Sequence, residues 1–179
     1  MKASIWILGF ILLISVNKVS AQKNLVTNGG FEDDTEGWVN YGGTVTPYDF
    51  KEGKNSCAII APNTEKWLGL HQVINIPKKA PALEVSAWLK TINVVKGFDD
   101  WNGAILNVEF LDGREQKIGE SVSVARLVGD QSWQFISKKV TIPSGAVKFK
   151  ILAAMGYASG TLFIDAVSAE VVVADSVGQ

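Results

Sequence analysis

The chain has 179 residues, 47% hydrophobic and 20% charged, with a formal net charge of −1 at pH 7. So weak a charge excludes nucleic acid as a partner, because phosphate binding needs a concentrated basic surface. One cysteine and one histidine exclude both a disulfide framework and a metal site built from Cys/His pairs.

The N-terminus reads first as an address. Lys2 precedes an apolar run from Ile5 to Val16, broken by Gly9 and Ser15, and Val19-Ser20-Ala21 offers the small residues that a signal peptidase recognises. The run falls short of the roughly 20 residues of a spanning helix. A signal peptide over 1–21 is therefore predicted, with no transmembrane span, and secretion to the periplasm or outside the cell. No cysteine follows the run to carry a bacterial lipid anchor. Cleavage removes Lys2 and Lys18 and no acid, leaving 15 basic against 18 acidic side chains, about −3. Residues 22–179 are the size of a single domain with a full core.

Beyond residue 22 the hydrophobic pattern has period two, punctuated by Gly, Pro, Asn and Asp. Strands are predicted at 44–50 and 56–61, where Cys57 reads as a buried apolar side chain. The segment 67–76 places Leu68, Leu70, Ile74 and Ile76 on one face, with Trp67 and His71 on the other. Leu83, Val85, Ala87 and Leu89 alternate with Glu84, Ser86, Trp88 and Lys90. Ala104, Leu106, Val108 and Phe110 alternate with Ile105, Asn107 and Glu109, and Asp112-Gly113 then makes a turn. Further strands are predicted at 118–125, 132–142, 147–155 and 161–173, with Pro62, Pro77, Pro81 and Pro143 at or near strand ends, where a missing amide costs least. Nine or ten strands, each with one oily face, specify an all-β fold, a β-sandwich jelly roll.

Several phrases recur in a recognisable order: Asn24-Leu25-Val26-Thr27-Asn28-Gly29-Gly30-Phe31-Glu32 with Gly37-Trp38, Gly53-Lys54-Asn55-Ser56, Trp67-Leu68-Gly69-Leu70, Ser86-Ala87-Trp88-Leu89-Lys90, and Gly160-Thr161-Leu162-Phe163-Ile164-Asp165-Ala166-Val167. This series resembles the carbohydrate-binding modules of the galactose-binding-like jelly-roll group, especially families 4, 9 and 22, across essentially all of 22–179. The resemblance implies a polysaccharide or oligosaccharide as ligand. It also implies a glycan-degrading enzyme as companion, here a separate one, since such modules usually ride on an enzyme. It further implies a structural calcium held by Glu32 and Asp165, with Gly53 and Asn55 as backbone donors. The chemistry is suitable, since calcium takes six to eight oxygens. Where the family often carries a second closing acid, this chain has Ala166. The alternative for Glu32 and Asp165 is hydrogen bonding to the turn amides.

Sugar recognition uses aromatic faces against the C–H side of a pyranose, with polar groups reading the hydroxyls. Trp38 and Trp133 are expected in or at the edge of the core. Trp67, His71, Trp88, Asn107 and Glu109 all face away from the oily sets, and one groove holding them with Lys90, rimmed by Trp101, is the expected ligand site. No catalytic elbow, phosphate loop or dinucleotide fingerprint is present, so non-catalytic binding is the leading expectation. Two alternatives stay open. One is a jelly-roll polysaccharide lyase or hydrolase, the lyase using His71, Tyr157 and a lysine; the other is an adhesive module of the cell envelope.

Overall fold

In the computed structural model, which describes residues 23–172, the alternating segments become ten strands. They are β1 (Val39–Tyr41), β2 (Gly43–Thr46), β3 (Ser56–Ala61), β4 (Trp67–Asn75), β5 (Ala82–Lys96), β6 (Gly103–Leu111), β7 (Lys117–Leu127), β8 (Gly129–Thr141), β9 (Lys148–Gly156) and β10 (Ala158–Val172). The signal peptide expected over 1–21 lies outside the described residues.

Every pairing is antiparallel, in two five-stranded sheets. The first runs β1-β4-β9-β6-β7 and the second β2-β3-β10-β5-β8. Apart from β2–β3 and β6–β7, neighbours in a sheet are not consecutive in sequence, as in the jelly roll expected. The inward positions meet in one core: Leu70, Leu106, Phe149, Ile151 and Met155 from the first sheet, and Ile59, Leu83, Leu89, Leu162 and Ile164 from the second, are fully buried. Leu68, Leu70, Ile74 and Ile76 all join it, so the parity read for β4 holds. Cys57 is buried among them, and burial pushes its thiol up to about 12.

The opening and closing phrases lie against each other. The Leu25 amide donates to the Ala169 carbonyl at 2.8 Å, and Asn24 Oδ1 accepts the Val26 and Ala169 amides. A Cβ on Gly29 would collide with the Val167 carbonyl, so only glycine lets the two segments meet. Trp38 is buried as expected and stacks on Phe31 with centroids 5.4 Å apart.

Four details differ from the sequence reading. The strand expected at 44–50 ends at Thr46, and 47–50 belong to the loop before β3. Strand β1 was not anticipated, because all three of its residues are exposed and present no oily face. Strand β5 continues to Lys96, past register shifts near Thr91 that break its alternation. Trp133 is not at the core edge; it lies on the outside of the second sheet, where its indole donates to Asp49 Oδ1 at 2.8 Å.

Candidate functional site

The outer face of the first sheet carries the candidate site. Register sets its side chains in rows about 7 Å apart, the repeat of alternate residues along a strand. One row runs Val39, His71, Leu152, Asn107, Ser123, and the next Tyr41, Gly69, Ala154, Ile105, Arg126. A third runs Trp67, Gly156, Gly103. Gly69, Ala154 and Gly156 are buried, the last two beneath Trp67, Trp101 and Ile105, so Ile105, Leu152 and Asn107 form the floor while Tyr41, Trp67 and Arg126 border it. Trp67 is half-buried against a small apolar cluster of Ile105, Leu152 and Ala154.

Two adjoining cavities follow from this relief. One, of about 550 Å³, is bounded by Trp67, Trp101, Ile105, Asn107, Glu109, Glu120, Ser121, Ser123, Arg126 and Leu152. The other, of about 310 Å³, is bounded by Tyr41, Trp67, His71, Glu109, Lys150 and Leu152. They share Trp67, Glu109 and Leu152 and form one trough across the sheet. Trp101, on the β5–β6 loop, borders its upper end; it is 50% exposed and packs edge-on against Tyr157 at 5.7 Å. Tyr41 and His71 stack at the lower end, centroids 6.1 Å apart and planes 24° from parallel.

The polar groups of the trough have distinct states. Glu109 Oε1 accepts from Ser121 Oγ at 2.9 Å, and Oε2 pairs with Lys150 at 3.2 Å. Burial pushes its carboxyl up, but the Ser121 and Lys150 bonds with the charges of Lys150 and Lys117 outweigh that, so it sits below the usual range. Burial, and then Lys150, hold the His71 imidazole below its ordinary value against the pull of Glu109, so it is neutral at pH 7. Asn107 Oδ1 is buried in the floor and has no hydrogen-bond partner among the described residues. An acceptor left so is costly unless something fills it.

Five of the six predicted ligand residues therefore share one face: Trp67, His71, Trp101, Asn107 and Glu109. Trp88 does not, and this corrects the expected single groove. It lies in β5, in the second sheet, where Lys51 covers its ring at 4.3 Å, Phe135 packs against it at 5.4 Å and its indole donates to Glu52 at 3.0 Å. Lys90 lies on that sheet too, paired with Asp49 at 2.5 Å. Trp88, Lys90 and Trp133 together fasten the 47–55 loop across the second sheet. Period-two parity shows that Trp88 faces outward but not which sheet holds it. Tyr41, Lys150 and Arg126 were missed; Tyr41 belongs to the unanticipated β1, and Arg126 lies one residue beyond the predicted end of β7.

The strapped loop ends on the two carboxylates singled out for calcium. Asp165 Oδ2 accepts the Lys51 and Glu52 amides at 2.8 and 2.9 Å, and Oδ1 accepts the Ala166 amide at 2.6 Å. Glu32 Oε1 accepts the Lys54 and Asn55 amides at 2.8 and 3.0 Å. Gly53 has φ +64° and no room for a Cβ beside Glu32. Asn55 thus meets Glu32 through its amide N–H. Burial raises the Asp165 carboxyl above the usual range in spite of its amide bonds. A Cβ on Gly30 would lie 3.9 Å from both Asp165 Oδ1 and the Glu32 side chain, so its absence leaves space between the acids. Glu32 Oε2 takes no hydrogen bond among the described residues. No three Asp, Glu, His or Cys converge as a metal-ligating group among those residues. Both acids thus hydrogen-bond the turn amides, the alternative stated for this pair; a calcium between them would have to complete its shell with carbonyls and water.

No protein-family model matches the chain, and no curated protein matches it. Solved structures do. The CBM22-1 xylan-binding domain from Paenibacillus barcinonensis Xyn10C is similar with a TM-score of 0.59 at 23% identity, over 86% of this chain and 97% of that one. A family 16 carbohydrate-binding module is similar with a TM-score of 0.57 at 18% identity, over 82% of this chain and 99% of that one. The enzymatically active domain of tailspike protein 4 of bacteriophage CBA120 gives 0.65 at 19% identity, over 83% of this chain. The chain spans 21% of that tailspike's length. At these identities the likeness establishes the fold, the jelly-roll sandwich of carbohydrate-binding modules.

Proposed function

We propose that this chain binds polysaccharide in the trough on the first sheet and does not cleave it. The observation that carries the reading is a floor of Ile105 and Leu152 flanked by Trp67 and Trp101, with an unpartnered amide oxygen, Asn107 Oδ1, in it. Flat rings beside a shallow, partly polar floor suit the apolar face of a pyranose. Hydroxyls of the sugar would meet Asn107, Glu109 and the serines. Xylan is the first chain to try, because the similar P. barcinonensis domain is named for binding it.

Hydrolysis has weaker support. A glycosidase needs two carboxyl groups across the scissile bond, one protonated at working pH. Glu109 is held ionised by Lys150 and Lys117, which unfits it as an acid. The lyase alternative needs His71 and Tyr157 together, yet they pack against different partners, Tyr41 and Trp101. Secretion, and work alongside a separate glycan-degrading enzyme, complete the proposal.

A polysaccharide pull-down with product analysis tests it. Retention on at least one polysaccharide with no new chain ends supports binding alone. Shortened or unsaturated products would make the chain an enzyme, and no retention on any glycan would sink the reading and favour the adhesive alternative.

A calcium between Glu32 and Asp165 belongs to the same proposal. It would tie the 47–55 loop to the opening and closing phrases. A chelator should then lower the melting temperature of the wild type, by the linkage of a native-state ligand, and leave Asp165→Asn unmoved. An unchanged wild-type melt would rule the ion out.

A further inference from the structure

Resting on the trough as the glycan site, we propose that its preferred ligand is an acidic polysaccharide, with Arg126 receiving the anionic group of one sugar. Arg126 borders the larger cavity together with Trp67 and Trp101, and register sets it beside Ile105 on the trough floor. No carboxylate lies within 4.0 Å of its guanidinium among the described residues, whereas Lys150, the other cation lining the trough, and Lys117 at its border both pair with Glu109. The acid nearest in influence, Asp100, is already paired with Lys96 at 2.8 Å.

The local charge supports the same choice. Glu109 answers two lysines, Lys150 at 3.2 Å and Lys117 at 3.9 Å, so that group is one positive charge in excess. Arg126 adds a second, and Glu120, exposed at the lip, is the remaining acid of the trough. The trough lining holds two cations, Arg126 and Lys150, against two carboxylates, Glu109 and Glu120, and Lys117, reaching Glu109 from the border at 3.9 Å, brings the local balance to three against two. His71 is neutral and leaves that balance unchanged.

The chemistry follows from shape. A guanidinium offers parallel N–H donors that match a carboxylate or a sulfate ester, and it stays charged at all working pH. Trp67 or Trp101 would stack on the ring while Arg126 takes the substituent, so a uronic acid or a sulfated sugar fits where a neutral pyranose leaves the arginine unmet. The two sources share this chemistry.

Affinity electrophoresis decides between them. Wild type, Arg126→Gln and Arg126→Lys are run through gels containing neutral xylan, neutral mixed-linkage glucan, polygalacturonate, alginate or a sulfated galactan. The inference expects wild type to be retarded most by one acidic polymer, more weakly as salt rises. Arg126→Gln should weaken that binding about tenfold, in keeping with loss of a charge-assisted hydrogen bond, with Arg126→Lys between the two. Polyuronate against sulfated galactan names the anion. Retention by neutral chains alone, or equal retention of wild type and Arg126→Gln on the acidic polymer, would overturn the inference while leaving glycan binding intact. No retardation in any gel would overturn both. Any neutral-chain retention kept by Arg126→Gln shows that the variant is folded, and its melting curve checks this independently.

Discussion

Truncating Trp101 and Trp88 to alanine in separate variants should produce opposite defects. Trp101 is 50% exposed, packs edge-on against Tyr157 and lies over Gly156. An aromatic side chain buries 150–250 Å², so roughly 100 Å² of Trp101 remains for a ligand to cover. At about 25 cal/mol per Å² that is a gross gain of ~2.5 kcal/mol, of which about 1–2 should survive the cost of ordering the complex. Trp101→Ala should therefore weaken glycan binding by about tenfold or somewhat more, and cost less than about 1 kcal/mol of stability. Trp88 has the reverse profile. Its loss removes the Glu52 hydrogen bond, the Lys51 contact and the Phe135 packing, together about 2 kcal/mol. Glycan affinity should stay within about twofold of wild type, because the two faces are far enough apart for independent behaviour. Urea denaturation reads the first quantity and isothermal titration on a retained oligosaccharide the second. A Trp88→Ala protein that keeps its stability but loses its ligand would refute the assignment of the site to the first sheet.

Three further outcomes follow from the geometry. Gly29→Ala should cost about 3 kcal/mol or more, measured by denaturant unfolding, because its Cβ meets the Val167 carbonyl and the Val167 amide already holds the Gly29 carbonyl at 2.9 Å. The Asp49 carboxyl is pushed up by burial but held below its usual range overall by the Lys90 and Trp133 hydrogen bonds and the Lys90 charge. It therefore stabilises the fold above its unfolded pKa of about 3.9 and loses that contribution as pH falls through the lower folded value. Stability curves of wild type and Asp49→Asn should accordingly differ at pH 7 and converge in acid; parallel curves would refute the pairing. Cys57, buried with its thiol raised to about 12, should resist alkylation at pH 8 in the native protein and react fully in guanidinium.

The sequence disclosed faces better than sheets. Alternation is a local property, so Trp67 and His71 on one side of β4, and Asn107 and Glu109 on one side of β6, followed from a count of two. Pairing is not local. Strand β5 is flanked by β10 and β8, both far along the chain, and nothing within 82–96 announces it; hence Trp88 was joined to a groove on the wrong sheet. Tyr41 escaped because a three-residue strand exposed throughout has no apolar phase to detect. Arg126 escaped for a related reason. Register shifts between β6 and β7 interrupt the alternation just before it, and a bulge of that kind changes a side chain's face without a sequence mark. Glu32 and Asp165 were brought to notice by the order of phrases, and the structure joins both to one loop through four amides.

The most direct test of the account is native affinity electrophoresis of the chain over 22–179 and a Trp67→Ala/Trp101→Ala double variant, across gels containing neutral and acidic polysaccharides. The account predicts that at least one polysaccharide retards the wild type and that the double variant runs through the same gel unhindered, with its far-UV spectrum unchanged. A folded double variant as strongly retarded as wild type, or a wild type retarded by none of the polymers, would contradict it.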